Sequence, residues 1–241
     1  MEKIQAIVIK SSDRKEKDKN ILLFSIENGK FWATLKGVKG ANAKMKLAQN
    51  PFCFAEFVLE EGKLGKIVTG LEVIETFHEI SEDVDKYFEA SAVLEVVNAF
   101  DFSSDQERAQ MFVLVIKTLK TICFSGVRPL YSLNKFFLEL FKFSGIPLVY
   151  DKCSCCGLKA FEKLYMNYVV GELECISCKS LTSEEVSKVV LSAMKLTDVT
   201  EFERLSSLKL AADSELALLK ILVKNFEARF EKRLNLIGIL K

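Results

Sequence analysis

Two C-x-x-C pairs constrain this chain more tightly than any other feature of its sequence: Cys153 with Cys156 and, after 18 further residues, Cys175 with Cys178. Each pair places two sulfurs on one turn, and two such turns complete a tetrahedron of thiolates around Zn²⁺. Four protein ligands leave no coordination position open to water, which is typical of a structural site. We therefore predict one structural Zn²⁺ per chain in a knuckle that folds with its metal. The alternative is a loop of reduced thiols without metal.

The other three of the seven cysteines have different surroundings. Cys155 offers a competing ligand beside Cys156, but Gly157 allows a tight turn over the metal and favours the pair chosen above. Cys53 lies in an aromatic, strand-like run, and Cys123 lies on the apolar side of a helical run. We predict that both are core residues.

The chain begins with charged residues rather than with an apolar signal segment, and no apolar run approaches the roughly 20 residues needed to cross a bilayer. These features predict a cytoplasmic protein that does not contact membranes. Thiols in that reducing compartment bind metal or pack in cores more often than they form disulfides. The apolar fraction of 49% is ample for a packed core.

Up to about residue 74 the hydrophobic period is two, and turn residues recur at regular intervals. Asn28 and Gly29 predict a tight hairpin between the second and third strands, because both tolerate positive φ. Five strands in this length suit an OB-type β-barrel, since closure removes exposed edges. The predicted strands are residues 3–10, 20–27, 30–37, 51–60 and 64–74.

After His78 the period becomes helical, and stripes at residues 111–122, 133–141 and 216–230 predict helices with a buried face. Thr182 with Glu185 forms a capping-box pattern, which predicts a helix from there to about Leu196. The fold class is therefore α+β, with an OB-type barrel followed by an α-helical domain that carries a four-cysteine zinc-finger insertion. The predicted domains are 1–79 for the barrel, 80–150 with 181–241 for the helices, and 151–180 for the insertion.

The net charge of +1 arises by cancellation. Residues 1–50 carry 11 basic and 5 acidic side chains, whereas residues 51–110 carry 4 and 14. Cations beside an aromatic strand can follow a phosphate backbone while bases stack on the rings, although a merely solvated loop has the same composition. The predicted DNA-binding residues are Lys10, Arg14, Lys15, Lys30, Trp32, Lys36, Lys39, Lys44 and Lys46.

The sequence offers little support for a catalytic site. The chain's single histidine, His78, has no neighbouring constellation that could act as a base or ligand. The sequence from Gly37 to Gly40 lacks the spacing of a phosphate-binding P-loop, and the residue before Cys153 is Lys152 rather than the proline of a nucleobase deaminase. We therefore predict that the protein is not an enzyme.

These parts together resemble the RecO family of bacterial recombination mediators over nearly the whole chain. The resemblance rests on residues 27–30, 35–39 and 137–140, and on Gly145-Ile146-Pro147 leading to the first cysteine pair. Two departures exist. The loop after the third strand has lysine where the family often has arginine, and Gly171-Glu172 stands where the family often has two glycines before the third cysteine.

The resemblance implies binding of single- and double-stranded DNA, annealing of complementary strands, and cooperation with RecR in loading RecA onto DNA coated by single-strand-binding protein, at the bacterial nucleoid. It also implies recognition of the acidic C-terminal tail of single-strand-binding protein. Arg128, Lys135 and Lys142 are candidates for lining the rim of a groove for that tail, although ordinary surface charge is the simpler explanation for them. Two alternatives stay open: a zinc-ribbon transcription or replication accessory factor without annealing activity, and a thiol-dependent enzyme using Cys155 and Cys156.

Overall fold

The computed structural model describes residues 1–14, 16–38, 43–127, 130–160 and 162–235, except for the side chains of residues 43, 44 and 212. A closed five-stranded barrel occupies the N-terminal part, with its strands in the order first, second, third, fifth, fourth. The strands are β1 (Glu2–Asp13), β2 (Lys19–Ser25), β3 (Gly29–Leu35), β4 (Phe54–Gly62) and β5 (Gly65–Glu75), and a short helix α1 (Ala43–Leu47) precedes β4.

The barrel follows directly from the period of two. In β3, Ala33 and Leu35 are buried inside the barrel, whereas Trp32, the residue before Ala33, is 48% exposed on the outer face. A short parallel pairing of β3 with β5 and an antiparallel pairing of β1 with β4 close the sheet. Strand number, order and closure confirm the predicted OB-type barrel.

The hairpin predicted at Asn28 and Gly29 is present, but β2 ends at Ser25 rather than at residue 27. Ser25 pairs with Gly29, so the connection has three residues, and Gly29 opens β3 with a φ of +63°. The Asn28 N–H donates to Ser25 Oγ at 3.0 Å and tightens the turn.

The remainder is helical, with one small sheet inserted. The helices are α2 (His78–Glu82), α3 (Val84–Ala99), α4 (Asp105–Phe124), α5 (Tyr131–Phe143), α6 (Lys188–Val199) and α7 (Ala212–Phe230), with a 3₁₀ turn at Phe202–Ser207. The sheet has the order β7-β6-β8 and consists of β6 (Leu164–Asn167), β7 (Glu172–Cys175) and β8 (Ser183–Val186). None of the described helices is long and apolar enough to cross a membrane.

The capping-box prediction at Thr182 and Glu185 is wrong. Glu185 lies in β8 opposite Tyr165 of β6, and the Thr182 hydroxyl donates to Asn167 Oδ1 at 3.1 Å. The helix begins after Ser187, whose hydroxyl accepts from the Val190 N–H at 3.3 Å. Strand pairing overrides the local pattern here, because β8 completes the sheet whose strand β7 ends at Cys175.

The barrel and the helices share one hydrophobic core. Apolar side chains on the outer face of the barrel pack against α3 and α4, and the rings of Phe24 and Phe102 stack at 5.1 Å. Lys30 Nζ donates to the carbonyl oxygens of Asn98 at 2.7 Å and Phe100 at 2.6 Å, and Arg108 donates to two carbonyls of the β2–β3 turn. These contacts fix the barrel on the helices.

The core also contains Cys123, and Cys53 is buried inside the barrel, which confirms both core predictions.

Helix α5 lies at the centre of the helical part, and ten of its residues are buried. No side chain of its own caps its N-terminus, but Glu89 of α3 accepts a hydrogen bond from the Leu133 N–H at 2.8 Å. Burial raises the pKa of Glu89 to about 8, because desolvation disfavours the carboxylate more than the hydrogen bonds stabilise it. The native chain therefore holds a proton at Glu89 more tightly than the unfolded chain does.

We expect Glu89→Gln to flatten the pH dependence of stability. A carboxyl whose pKa is raised on folding makes the free energy of unfolding fall as pH rises from about 5 to about 8, by at most about 1.4 kcal/mol per pH unit. Glutamine keeps an acceptor oxygen for Leu133 and carries no charge. Urea unfolding across this pH range measures the slope, with Glu162→Gln as an exposed control. Parallel curves for Glu89→Gln and the native chain would contradict the assignment.

Candidate metal centre and nucleic-acid interface

The four predicted ligands form one cluster. One sulfur from each of Cys153, Cys156, Cys175 and Cys178 lies within 4.8 Å of the other three, and the sulfurs of Cys156 and Cys175 are 3.8 Å apart. A tetrahedron with bonds of about 2.3 Å has sulfurs ~3.8 Å apart, so the spacing fits Zn²⁺. The cluster can hold a metal ion, as the spacing of the two C-x-x-C pairs predicts.

The backbone around Cys153 favours ionisation of its sulfur, whereas hydrogen bonds with neighbouring thiols raise the pKa of Cys178. Burial opposes the thiolate of Cys153, but backbone N–H groups, including that of Cys175 at 3.4 Å, donate to its sulfur and lower its pKa overall. The Gly157 N–H donates to the Cys153 carbonyl at 2.9 Å, and the Cys178 N–H to the Cys175 carbonyl at 3.0 Å. Both C-x-x-C segments are thus closed turns. Cys155 is exposed, and the cluster does not include its sulfur.

A buried carboxylate holds the second turn against the sheet. Glu174, next to Cys175, accepts from the Asn167 side chain at 2.9 Å, the Ser180 N–H at 2.7 Å and the Ser183 hydroxyl. These hydrogen bonds outweigh burial and lower the pKa of Glu174. Glu174 is not among the residues predicted from the sequence, because a glutamate before a cysteine forms no motif of its own.

The first turn is joined to the same sheet through the backbone. The Ser154 N–H donates to the Leu173 carbonyl at 2.9 Å. The Leu173 N–H donates to the Val149 carbonyl, and the Val149 N–H donates to the Gly171 carbonyl, both at 2.9 Å. Gly171 has a φ of +76°, and a Cβ there would lie 2.4 Å from Arg229 Nη1 of α7. Where the sequence resemblance implies two successive glycines, this chain has Gly171 followed by Glu172. The glycine that is present occupies the position with positive φ and no space for a Cβ.

We expect Gly171→Ala to destabilise the protein by about 1–3 kcal/mol, since the new methyl group meets both a left-handed backbone and the side chain of Arg229. Gly145→Ala is the matched control, because Gly145 has a similar φ of +73° but nothing within 4 Å of its Cβ position. Thermal unfolding of the two variants separates backbone strain from the clash. Equal losses would show that the contact with Arg229 contributes nothing.

A cavity of about 490 Å³, here called the barrel cleft, opens at one end of the barrel. It lies between the β1–β2 connection, the end of β3 and the β4–β5 hairpin. Its lining includes three cations, two acids, a hydroxyl and an exposed apolar tip, contributed by Arg14, Lys36, Lys63, Asp18, Glu61, Thr34 and Leu64. Glu61 pairs with Lys66 at 3.6 Å. Arg14 donates to Thr34 Oγ1, and Asp18 accepts from the Gly37 N–H at 2.9 Å, so both sides of the cleft are held in place.

The barrel cleft brings together only part of the predicted DNA-binding set. Arg14 and Lys36 line it, Trp32 is exposed on the outer face of β3, and Lys46 is exposed on α1. Lys30 instead points to the helices, where its ammonium bonds two carbonyls. Lys10 lines a different cleft, described below. Lys15 and Lys39, together with the side chain of Lys44, lie outside the described residues.

Lys63 was missed by the sequence analysis. It stands at the tip of the β4–β5 hairpin between two glycines, and only the OB-type closure brings that tip opposite Arg14. The run Gly-Lys-Leu-Gly between two strands is the signal that could have found it.

A second groove, the helical groove, has a volume of about 380 Å³ between α4, α5 and the 3₁₀ turn. Val113 and Phe202 contribute apolar surface to it. Its charged lining consists of two lysines and two glutamates: Lys117, Lys135, Glu139 and Glu201. The predicted Lys135 is only 3% exposed, because its ammonium pairs with Glu139 at 2.8 Å and donates to a backbone carbonyl.

The other two residues predicted for this groove have different positions. Lys142 is half-exposed and pairs with Asp198 at 2.7 Å and with Glu139 at 3.1 Å. It does not line the groove. Arg128 lies outside the described residues.

Comparison with known proteins gives three relatives that span most of the chain, each named DNA repair protein RecO. The protein of Desulforamulus reducens is 28% identical over 236 residues, covering 97% of this chain and 91% of the relative. That of Thermoanaerobacter sp. is 27% identical over 211 residues, covering 87% and 84%. That of Clostridium novyi is 24% identical over 242 residues, covering 99% and 94%.

Two family descriptions match in succession along the chain. Residues 1–77, which contain the barrel, match Recombination protein O N terminal. Residues 81–236, which contain α3 to α7 and the cysteine cluster, match Recombination protein O C terminal. The chain therefore belongs to the RecO family of DNA repair and recombination proteins.

Proposed function

We propose that this protein binds single- and double-stranded DNA, anneals complementary strands and, with RecR, helps load RecA onto DNA coated by single-strand-binding protein. The observation that carries the proposal is the barrel cleft, where Arg14, Lys36 and Lys63 converge at the open end of an OB-type barrel. Family membership supports a role in DNA repair, and the cations supply the chemistry for phosphate.

The barrel cleft fits a sugar-phosphate backbone. The planar guanidinium of Arg14 suits two phosphate oxygens, while Lys36 and Lys63 act as point charges on either side. The exposed ring of Trp32 offers a stacking surface that accepts any base. Binding of this kind is independent of sequence and weakens steeply with salt. Annealing needs only charge neutralisation and access to the bases, so the proposed activity includes no catalytic step.

The helical groove fits the acidic, apolar tail of single-strand-binding protein. Val113 is 61% exposed, so the groove offers an open apolar surface. Lys117 stands over the Phe202 ring at 5.2 Å and pairs with Glu203 at 3.1 Å, so a peptide carboxylate would share this cation with Glu203. An acidic peptide would bury its apolar side chains against Val113 and Phe202 and place its carboxylates near Lys117. This contact would bring the protein to coated DNA.

The cysteine cluster would hold one Zn²⁺ in a structural role, through the four thiolates of Cys153, Cys156, Cys175 and Cys178. Its chemistry is a closed, four-sulfur coordination that supplies folding energy rather than reactivity. The ion would stabilise the small sheet, whose turn at Gly171 packs closely against Arg229 of α7.

Strand annealing with and without single-strand-binding protein tests the proposal. We expect the protein to speed annealing of coated strands, and to lose this effect when the coating protein lacks its acidic tail. Annealing of bare strands would survive that truncation. Binding of DNA without any annealing would favour the zinc-ribbon accessory factor instead.

A further inference from the structure

A third cavity, of about 570 Å³, separates the barrel from helix α3 and is here called the interdomain cleft. On the barrel side it meets β1, β2 and the segment after α1. On the helical side α3 turns one stripe of residues towards it, at positions 87, 91, 95 and 98. This stripe is mainly polar, whereas residues 89–90, 92–94 and 96–97 of α3 are buried.

The polar side chains of the interdomain cleft are accessible from outside, because Asn50 and Asn98 are exposed and Gln49 is partly exposed. The interdomain cleft contains the carboxamides of Gln49, Asn50 and Asn98, and it opens next to a shared apolar core that could have been extended to fill it. Glu95 is already used, since it accepts from Asn235 N–H at 2.6 Å. The lining is therefore built to exchange hydrogen bonds with something polar that enters from outside.

The donors and acceptors present match an unpaired base. A carboxamide both donates and accepts, as the edges of all four bases do. Tyr87 is 45% exposed, and its ring is braced edge-on by Phe52 at a centroid distance of 5.7 Å. It thus offers a supported aromatic face for stacking.

Cations flank these groups at the barrel side. Lys10 is exposed on β1 and forms no ion pair with a described residue, and Lys19 on β2 is only loosely paired with Asp13 at 3.9 Å. Both are placed to meet phosphates of a strand whose bases enter the cleft.

The position of the interdomain cleft relates it to the barrel cleft. Lys10 and Arg14 lie four residues apart at the same end of β1, one lining the interdomain cleft and the other the barrel cleft. We propose that the interdomain cleft binds a second, unpaired DNA strand, so that the β1–β2 connection separates two strands held on one chain. This inference rests on the proposed DNA-binding function and assigns a site to the second strand.

A two-strand binding assay tests the inference. Two non-complementary oligonucleotides carrying a donor and an acceptor dye are mixed with the full-length protein, and energy transfer reports their binding to one molecule. We expect the double variant Asn50→Asp, Asn98→Asp to weaken second-strand binding by ~10-fold or more, because it adds two charges that repel phosphate. Binding of a single oligonucleotide would stay within about twofold of the native value.

Aspartate has nearly the same shape as asparagine, and Asn50 and Asn98 are both exposed, so we expect the double variant to fold as the native chain does. Gln5→Glu, Gln106→Glu adds the same charge at exposed sites outside the two clefts and is expected to behave as the native chain does. A photoreactive iodouracil strand gives an independent readout, with adducts expected on Tyr87 in the two-strand complex.

The outcomes separate the two hypotheses. In one outcome the native chain binds one strand and anneals, but the Asn50 and Asn98 variant shows unchanged energy transfer and no adduct forms on Tyr87. The assignment of the second strand to the interdomain cleft is then wrong, and the proposed function stands. If the native chain binds no DNA, both fail.

Discussion

Replacing Cys175 and Cys178 with serine is expected to release the metal and to unfold the small sheet together with both cysteine turns. Serine cannot replace thiolate as a zinc ligand, and two remaining sulfurs cannot complete the coordination. Structural zinc contributes about 10–16 kcal/mol of apparent binding free energy in isolated zinc-finger peptides, and much of that is folding free energy. We therefore expect zinc content to fall from about one per chain to near zero. Metal analysis and hydrogen exchange of residues 164–186 measure the two effects.

The chain supplies its own control for this experiment. Cys155→Ser changes a neighbouring thiol that is exposed and outside the cluster, so zinc content and exchange should match the native protein. Full zinc content in the Cys175 and Cys178 variant would overturn the assignment of the ligands. Loss of zinc in the Cys155 variant would show that the ligand set is different from the one that the geometry favours.

Charge reversal of Arg14, Lys36 and Lys63 is expected to abolish annealing and to weaken binding of single-stranded DNA by ~100-fold or more at moderate salt. Each phosphate contact of a single strand contributes about 0.7 to the slope of log affinity against log salt, so the slope should fall by about 2. Fluorescence anisotropy over a salt series measures both quantities.

The control is a second triple charge reversal, at Lys188, Lys195 and Lys209. These lysines are exposed on the helical part, away from the barrel cleft, so the variant has the same net charge. If non-specific attraction to the whole protein explained binding, both triple variants would weaken it equally. Native-like annealing by the barrel variant would remove the barrel cleft from the DNA-binding surface.

Local patterns were enough to predict the barrel and the cysteine cluster. A period of two and a turn at Asn28 and Gly29 leave few arrangements for five short strands, and two C-x-x-C turns can close only on each other. The pattern at Thr182 failed for the opposite reason. A capping box is a local preference, and the pairing of β8 with β6 depends on a strand about 20 residues earlier in the chain.

The composition of the clefts could not be predicted from the sequence. Lys63 and Arg14 are about 50 residues apart and meet only because the barrel closes. Lys30 and Lys135 have the sequence signature of surface cations, yet both ammonium groups bond to backbone carbonyls inside the chain. Charge counts identify a basic region, but topology decides which cations face outward.

The shared core has a kinetic consequence. Stacking of Phe24 on Phe102, with Lys30 and Arg108 bonded across the junction, prevents the barrel from pivoting on the helices. Ligands held in the barrel cleft and the interdomain cleft would therefore stay at a constant separation, and their encounter would become intramolecular. The effective concentration that each bound ligand experiences for the other would then depend on the distance between the clefts and not on the concentration in solution. Dilution that halts spontaneous pairing would leave the pairing of two strands already bound to one chain almost unaffected.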